Sequence, residues 1–163
     1  MAMKNSNEGR MEFTETEKAL TNAELNDFEE YVGLQLPEQY RNHLLTYNGG
    51  RCEPNVFDVS KNGKPNQSCI DWFLAIYDGE ADNLKDYVDD VKIKVKRMPQ
   101  HILPIAHDPG GNLICISCGD KDNGAIYFWD HENEVDYSIA QDDDYSNLYL
   151  IARSLHEFFD SLK

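Results

Sequence analysis

From Ile102 to Ala140 the chain runs "ILPIAH", "NLICISC", "AIYFWDH" and "EVDYSIA", four β-rich stretches joined only by "DPGG", "GDKDNG" and "EN". Connections this short can join antiparallel neighbours and nothing else, because a parallel crossover needs a dozen residues or more. An antiparallel meander is therefore predicted, and every other element has to pack against it. With 163 residues the chain has the size of one domain, enough to bury roughly 70% of the surface its unfolded form exposes. Residues 1–13 read as a flexible, solvated tail and 14–163 as a single domain.

The elements before the meander are helical. Thr21-Asn22-Ala23-Glu24 has the S/T-x-x-E form of a capping box, flanked by Leu20 and Leu25 at the staple positions. A helix is predicted from about residue 22, with Leu25, Phe28 and Val32 on its inner face and Gly33 ending it. Pro37 suits the first turn of a second helix with Tyr40, Leu44, Leu45 and Tyr47 inward, stopping at Asn48-Gly49-Gly50. "NVFDV" (55–59) and "CIDWFLAIY" (69–77) read as strands around a turn-rich "SKNGKPNQS". Leu84, Tyr87, Val88 and Val91 predict a short helix behind Asp82 or Asn83. From about Ser146, Leu148, Ile151, Ala152, Leu155, Phe158, Phe159 and Leu162 predict a closing helix whose broad apolar face covers the sheet.

Charge narrows the function. Fifteen Lys plus Arg against thirty Asp plus Glu leave a net charge of −15, which repels nucleic acid and anionic membrane and attracts basic surfaces. No direct nucleic-acid or membrane partner is expected. The chain lacks the run of about 18 apolar residues that a membrane span needs, and "MAMKNSNEGRMEF" lacks the apolar stretch of a secretory signal, so a cytoplasmic location is expected. The acidity is concentrated. Between positions 120 and 144 stand nine acids, Asp120, Asp122, Asp130, Glu132, Glu134, Asp136, Asp142, Asp143 and Asp144, with Lys121 the one Lys or Arg among them, whereas "KIKVKR" (92–97) is locally basic.

Several stretches imitate chemistry. Asp108-Pro109-Gly110-Gly111 reads as a type II turn with positive φ at its third position, Gly110. It feeds the apolar run "LICIS" and no helix, so it has no helix-terminal donors to cradle a phosphate. Cys115 and Cys118, three apart in a strand, point to opposite faces about 10 Å apart and cannot chelate together unless the strand ends at Ser117, and no second C-x-x-C or H-x₃₋₅-H follows to complete a zinc site. All four cysteines, Cys52, Cys69, Cys115 and Cys118, are expected as free, mostly buried thiols. His107 with either Cys115 or Cys118 is the candidate nucleophile and base pair of an alternative, enzymatic reading, with His101, His131 and Asp108 near in sequence. "DKDNG" (120–124) fails as a calcium loop because Gly124 falls at position five and His131 stands where a bidentate glutamate belongs. No catalytic residue, metal ligand or cofactor is assigned.

The stretches "LPEQYRNHLLTYNGG" (36–50), "LPIAHDPGGNLICISCG" (103–119), "IYFWDHE" (126–132) and "LHEFFDSL" (155–162) resemble, in that order, the SUKH superfamily of Smi/Knr-like proteins. The resemblance covers the chain from about residue 20; Pro109 beside the glycine pair and the segment around 60–70 depart from it. It implies an α+β fold, a central mainly antiparallel sheet with a C-terminal meander, flanked by N-terminal helices and a C-terminal helix. It also implies a non-enzymatic role. Many bacterial members are immunity proteins that neutralise polymorphic toxins, often nucleases, while fungal relatives regulate cell-wall assembly. The matching residues Pro37, Tyr40, Asn48, Gly49, Gly50, Asp108, Gly110, Gly111, Asn112 and Trp129 read as architectural. The expectation is an immunity protein that meets a basic cognate toxin through its nine clustered acids; the alternative is an adaptor or regulator of an endogenous partner, with the acids serving only as solvated turns.

Overall fold

Thr21 Oγ1 accepts the Glu24 amide at 3.1 Å while Glu24 Oε1 accepts the Thr21 amide at 3.2 Å. That reciprocal cap starts α1 (Asn22–Val32), and Gly33, in the left-handed region at φ 71°, ends it. The computed structural model describes residues 10–163. In α2 (Glu38–Thr46), Pro37 stands one position outside the helix as its N-cap, Tyr40 and Leu44 are buried and Leu45 is half-buried. Tyr47 leaves the inner stripe: it follows the helix, is exposed, and stacks on Phe13 at 4.3 Å.

Among the described residues the strands are β1 (Glu12–Thr14), β2 (Arg51–Glu53), β3 (Val56–Lys61), β4 (Lys64–Cys69), β5 (Trp72–Phe73), β6 (Ile102–His107), β7 (Leu113–Ser117), β8 (Ile126–Trp129) and β9 (Leu148–Ala152). Strands β5 to β9 form one antiparallel sheet in chain order; β1 pairs with β2, and β3 with β4. The fold is α+β, as expected. Every residue of β7 and β8 is buried. Ile114, Ile116, Ile126 and Phe128 enter a core shared with α1, α2, β3, α3 (Leu84–Val88) and α4 (Leu155–Ser161), while Leu113, Cys115, Tyr127 and Trp129 enter a second one with Val91, Met98 and Leu148. Each apolar run thus alternates between two covered faces.

Further expectations change. "EVDYSIA" forms no strand; its residues lie in turns, and the fourth strand of the meander is β9. The single closing helix from Ser146 is instead β9 followed by α4: Leu148 and Ala152 are buried against β8, and the chain then restarts as a helix at Ser154, whose Oγ accepts the Glu157 amide at 3.1 Å. A spacing of three and four cannot separate these two cases, but Ser154-x-x-Glu157 is a capping signal placed after the strand. "SKNGKPNQS" is a hairpin, with Asn62 and Gly63 both at positive φ (52° and 79°) between β3 and β4. Asn-Gly between two strands is the strongest short hairpin signal. The long strand over 69–77 shrinks to β5, because Ile76 is diverted to Asn48. Of the predicted tail, residues 1–9 lie outside the described residues, but Met11 is buried and Glu12 and Phe13 belong to β1.

The motif residues hold these pieces in place. Asn48, 2% exposed, donates from Nδ2 to the Lys18 and Ile76 carbonyls, each at 2.9 Å, and accepts the Ile76 amide at 2.9 Å. Gly49 follows at φ 73°, and a Cβ there would lie 2.5 Å from the Cβ of Ala75. In the β6–β7 connection it is Gly111, not Gly110, that takes positive φ, at 88°. Asp108 explains the difference: its Oδ1 accepts the Gly110 amide at 2.9 Å and the Asn112 amide at 2.8 Å, and its own amide donates to the Asn112 carbonyl at 3.0 Å. This pattern matches a three-residue hairpin loop whose last position is left-handed. Ser68 Oγ donates to Asp108 Oδ2 at 2.8 Å, tying β4 to the loop.

Two outcomes follow from the packing. Gly49→Ala meets both positive φ and the Ala75 side chain, so a loss of about 2 kcal/mol or more is expected in urea unfolding; an unchanged midpoint would contradict the close approach. His43, among Phe13, Tyr47, Phe73 and Phe159, has its pKa pushed down to about 4, chiefly by burial and then by His156. The unfolded chain takes up that proton near pH 6.5 and the folded chain only near 4, so stability falls with pH across that window, by up to about 1.4 kcal/mol per unit. His43→Phe should flatten this part of the stability profile, and a variant retaining the full slope would show that another group supplies it.

Candidate partner-binding surface

The nine clustered acids separate once the chain is folded. Asp130 is 2% exposed: it caps the short turn His131–Asn133, accepting the Glu132 amide at 3.0 Å and Asn133 Nδ2 at 2.8 Å, with Lys61 Nζ 3.6 Å away. Burial opposes its ionisation, but these partners hold its pKa below the usual carboxylate value. Glu134 pairs with Arg97, whose guanidinium lies 5.0 Å from the Trp129 ring centroid. Asp136 and Asp144 each accept the amide and hydroxyl of the serine two positions on, Ser138 and Ser146. Glu132 is exposed, and its carboxylate makes no hydrogen bond or ion pair among the described residues.

The remaining four, Asp120, Asp122, Asp142 and Asp143, converge on one concavity of about 520 Å³, together with His101, Gly119, Lys121 and Tyr145. Its floor is a hydroxyl network. Asp122 accepts the hydroxyls of Ser117, Tyr127 (2.7 Å) and Tyr145 (2.9 Å), and Tyr145 is in turn hydrogen-bonded to His101 Nε2. Desolvation works against the Asp122 charge, yet the three donors overcome it and lower the pKa. Asp142 accepts the Gln100 amide at 3.2 Å, which brings the 137–142 loop against the start of β6. Asp120 and Asp143 remain exposed, without a partner among the described residues. The cavity therefore offers fixed negative charge beside two free carboxylates. That arrangement suits a cationic side chain.

The residues that imitate an enzyme are engaged otherwise. His107 Nε2 is 2.6 Å from Asp82 Oδ1 and its ring stacks on Tyr87, while His131 Nδ1 is 2.8 Å from Asn112 Oδ1. Neither Cys115 nor Cys118 is hydrogen-bonded to a histidine ring among the described residues; β7 has ended at Ser117, so strand alternation does not govern the pair, yet Cys115 belongs to the second core and Cys118 packs against the first. Burial pushes both thiols up, Cys118 to about 12, away from the thiolate a nucleophile needs. All four cysteines are free; Cys52 and Cys115 are buried and Cys69 and Cys118 half-buried. Among the described residues, no three His, Cys, Asp or Glu side chains converge in a metal-ligand group, and no helix is long and apolar enough to cross a membrane.

What sequence reading missed is how the acids are divided. The serines two residues after Asp136 and Asp144 were a legible sign of local capping, and tyrosines flanking Asp122 at 127 and 145 acquire meaning only once β8 and the loop before β9 come together.

A family model described as the SMI1 / KNR4 family (SUKH-1) matches residues 19–161. A curated relative, the SPbeta prophage-derived uncharacterized protein YokK of Bacillus subtilis (strain 168), is 32% identical, the match spanning 87% of this chain and 74% of that protein.

Asp122→Asn should destabilise the fold by about 1–3 kcal/mol at neutral pH, since three hydroxyls lose a charged acceptor. Because the folded pKa lies below the unfolded value near 3.9, the wild-type advantage is present above that value and disappears as pH falls through the folded one. Urea unfolding at pH 7 and at about pH 3 tests both halves; equal midpoints at pH 7 would rule out the network as a stabilising element.

Proposed function

The chain belongs to the SMI1 / KNR4 family (SUKH-1), and from that premise we propose that it is a non-enzymatic immunity protein that binds a cognate toxin in the cytoplasm and occludes its working surface. The observation that carries this reading is the concavity at Asp120, Asp122, Asp142 and Asp143, where two free carboxylates flank a carboxylate held ionised by three hydroxyls. A nuclease holds phosphates with Lys and Arg, so an acidic inhibitor can fill the same groove and approach it quickly through long-range attraction. A nuclease-type toxin is therefore the favoured partner. Asp144, at the end of the same loop, and the more distant Asp136, Glu132 and Glu134 extend the field without belonging to the concavity.

Affinity purification at low and raised salt, with wild type beside the Asp142→Lys, Asp143→Lys, Asp144→Lys variant, tests the proposal. The expected outcome is a basic toxin domain held by wild type at low salt, released by salt and not held by the variant, with co-expression of wild type alone rescuing growth against that domain. Retention of an endogenous envelope or metabolic protein, indifferent to salt and to the variant, would replace immunity with the regulator reading.

A further inference from the structure

Beside the acidic concavity, and sharing Asp142 with it, lies a second groove of about 480 Å³. The buried side chains of Val88, Met98 and Tyr137 line it together with polar Lys92, Lys96, Gln100 and Gln141. One wall is a π-helical turn, Asp89–Ile93, closed by the Lys94 amide donating to the Asp89 carbonyl at 2.8 Å. Such turns are rare and recur at functional positions. The opposite wall is the 137–142 loop.

Exposed apolar side chains gather here. Among the described residues six large ones are exposed, and three of them belong to these two walls or the residues next to them: Ile93 (59%), Val95 (56%) and Ile139 (82%). Tyr31, a fourth, reaches the π-helical turn by donating its hydroxyl to Asp89. Clustered exposed apolar groups rimmed by polar ones mark a contact surface, whereas scattered ones need no explanation.

Two lysines line the groove, and Lys96 is exposed with no ion pair among the described residues. Lys92 points inward, its ammonium donating to the carbonyls of Pro99 (3.2 Å), Gln100 (2.5 Å) and Ile102 (2.6 Å), so its charge is used within the protein. Lys94 pairs with Asp90 at 3.3 Å and Arg97 with Glu134. The Tyr137 amide donates to the Lys96 carbonyl and the Gln100 amide to Asp142, so 96–100 runs beside 137–142 in the same direction. Asp142 consequently marks one end of the groove, where it meets the acidic concavity that Asp143 also lines; Ile93 lines the groove itself, and Ile139 stands exposed on the loop that walls it.

We propose that this groove seats a large apolar side chain of a partner-protein segment that places a Lys or Arg beside it, against Asp142 and Asp143. The inference rests on the partner-binding reading above and adds the chemistry of the contacting segment. The apolar anchor supplies desolvated contact area and the basic neighbour sets its register.

The probe is a displayed library of random dodecapeptides selected on the full chain, followed by affinity measurement of enriched synthetic peptides against wild type, an Ile93→Asp, Ile139→Asp variant and an Asp142→Asn, Asp143→Asn variant. Both apolar positions are exposed, and a thermal melt of each variant verifies that the fold is intact. Enriched peptides should pair a large apolar residue with Lys or Arg, lose about tenfold or more in affinity to the Ile variant at any salt, and lose affinity to the Asn variant chiefly at low salt. Basic peptides that bind the Ile variant as well as wild type would overturn the groove while leaving the acidic-surface reading standing. Acidic peptides, or no enriched peptide, would overturn the inference as well. Sedimentation of the free chain completes the test: a dimer dissolved by the Ile variant would assign the groove to a second copy and overturn the proposed occupant.

Discussion

Both faces of β7 and β8 are closed to water, and the rest of the molecule follows from that constraint. An antiparallel sheet can leave one face wet; here "LICIS" and "IYFW" are apolar at nearly every position, and each strand is buried throughout. The chain therefore has to supply two covers. One is built from α1, α2, the β3–β4 hairpin and α4, whose Phe57 and Phe158 rings meet edge to face and whose Phe57 also lies against Phe128. The other is thinner and made largely of connections: the π-helical turn, Met98, and the residues between β8 and β9.

That asymmetry locates the surface features. A cover of helices has few backbone groups to satisfy at its surface, whereas a cover of loops must satisfy them with side chains. Asp130, Asp136, Asp144 and Asn147 do so between β8 and β9, with Asn147 donating to the Asp130 carbonyl at 3.1 Å. Much of the acidity of this segment is thus a consequence of making a loop behave as a lid. Of the acids left over, Asp120, Asp142 and Asp143, with Asp122 behind them, face one concavity while Glu132 stands outside it, and beside the concavity the same lid leaves Ile139 in water. A candidate contact surface arises where the thin cover stops.

Asp108, Asn112 and His131 show how the thin cover is attached. Asp108 shapes the β6–β7 loop, Asn112 at the end of that loop accepts the His131 amide at 3.1 Å and contacts its ring nitrogen, and the turn after β8 is thereby set against the loop. Trp129 adds a second attachment, donating its indole N–H to the Arg97 carbonyl at 3.1 Å. The loop from Asp108 to Asn112 thus works as a clasp between connections.

Local chemistry by itself determined the start and end of α1, the start of a short helix to within Asp82 or Asn83, and the antiparallel pairing of β6, β7 and β8, because each depends on residues within a few positions of one another. The sequence also carried the net charge and the family resemblance. Only the tertiary structure decided that "EVDYSIA" gives up its strand to β9, since a strand forms where a neighbour offers a free edge and an apolar face, and β8 offers both to Leu148 and Ala152. The division of the acids was likewise beyond local reading: Asp122 finds Tyr145 across 23 positions and Asp142 finds Gln100 across 42. A carboxylate's role depends on which donors surround it in space, and chain separation says nothing about those until the sheet has brought them together.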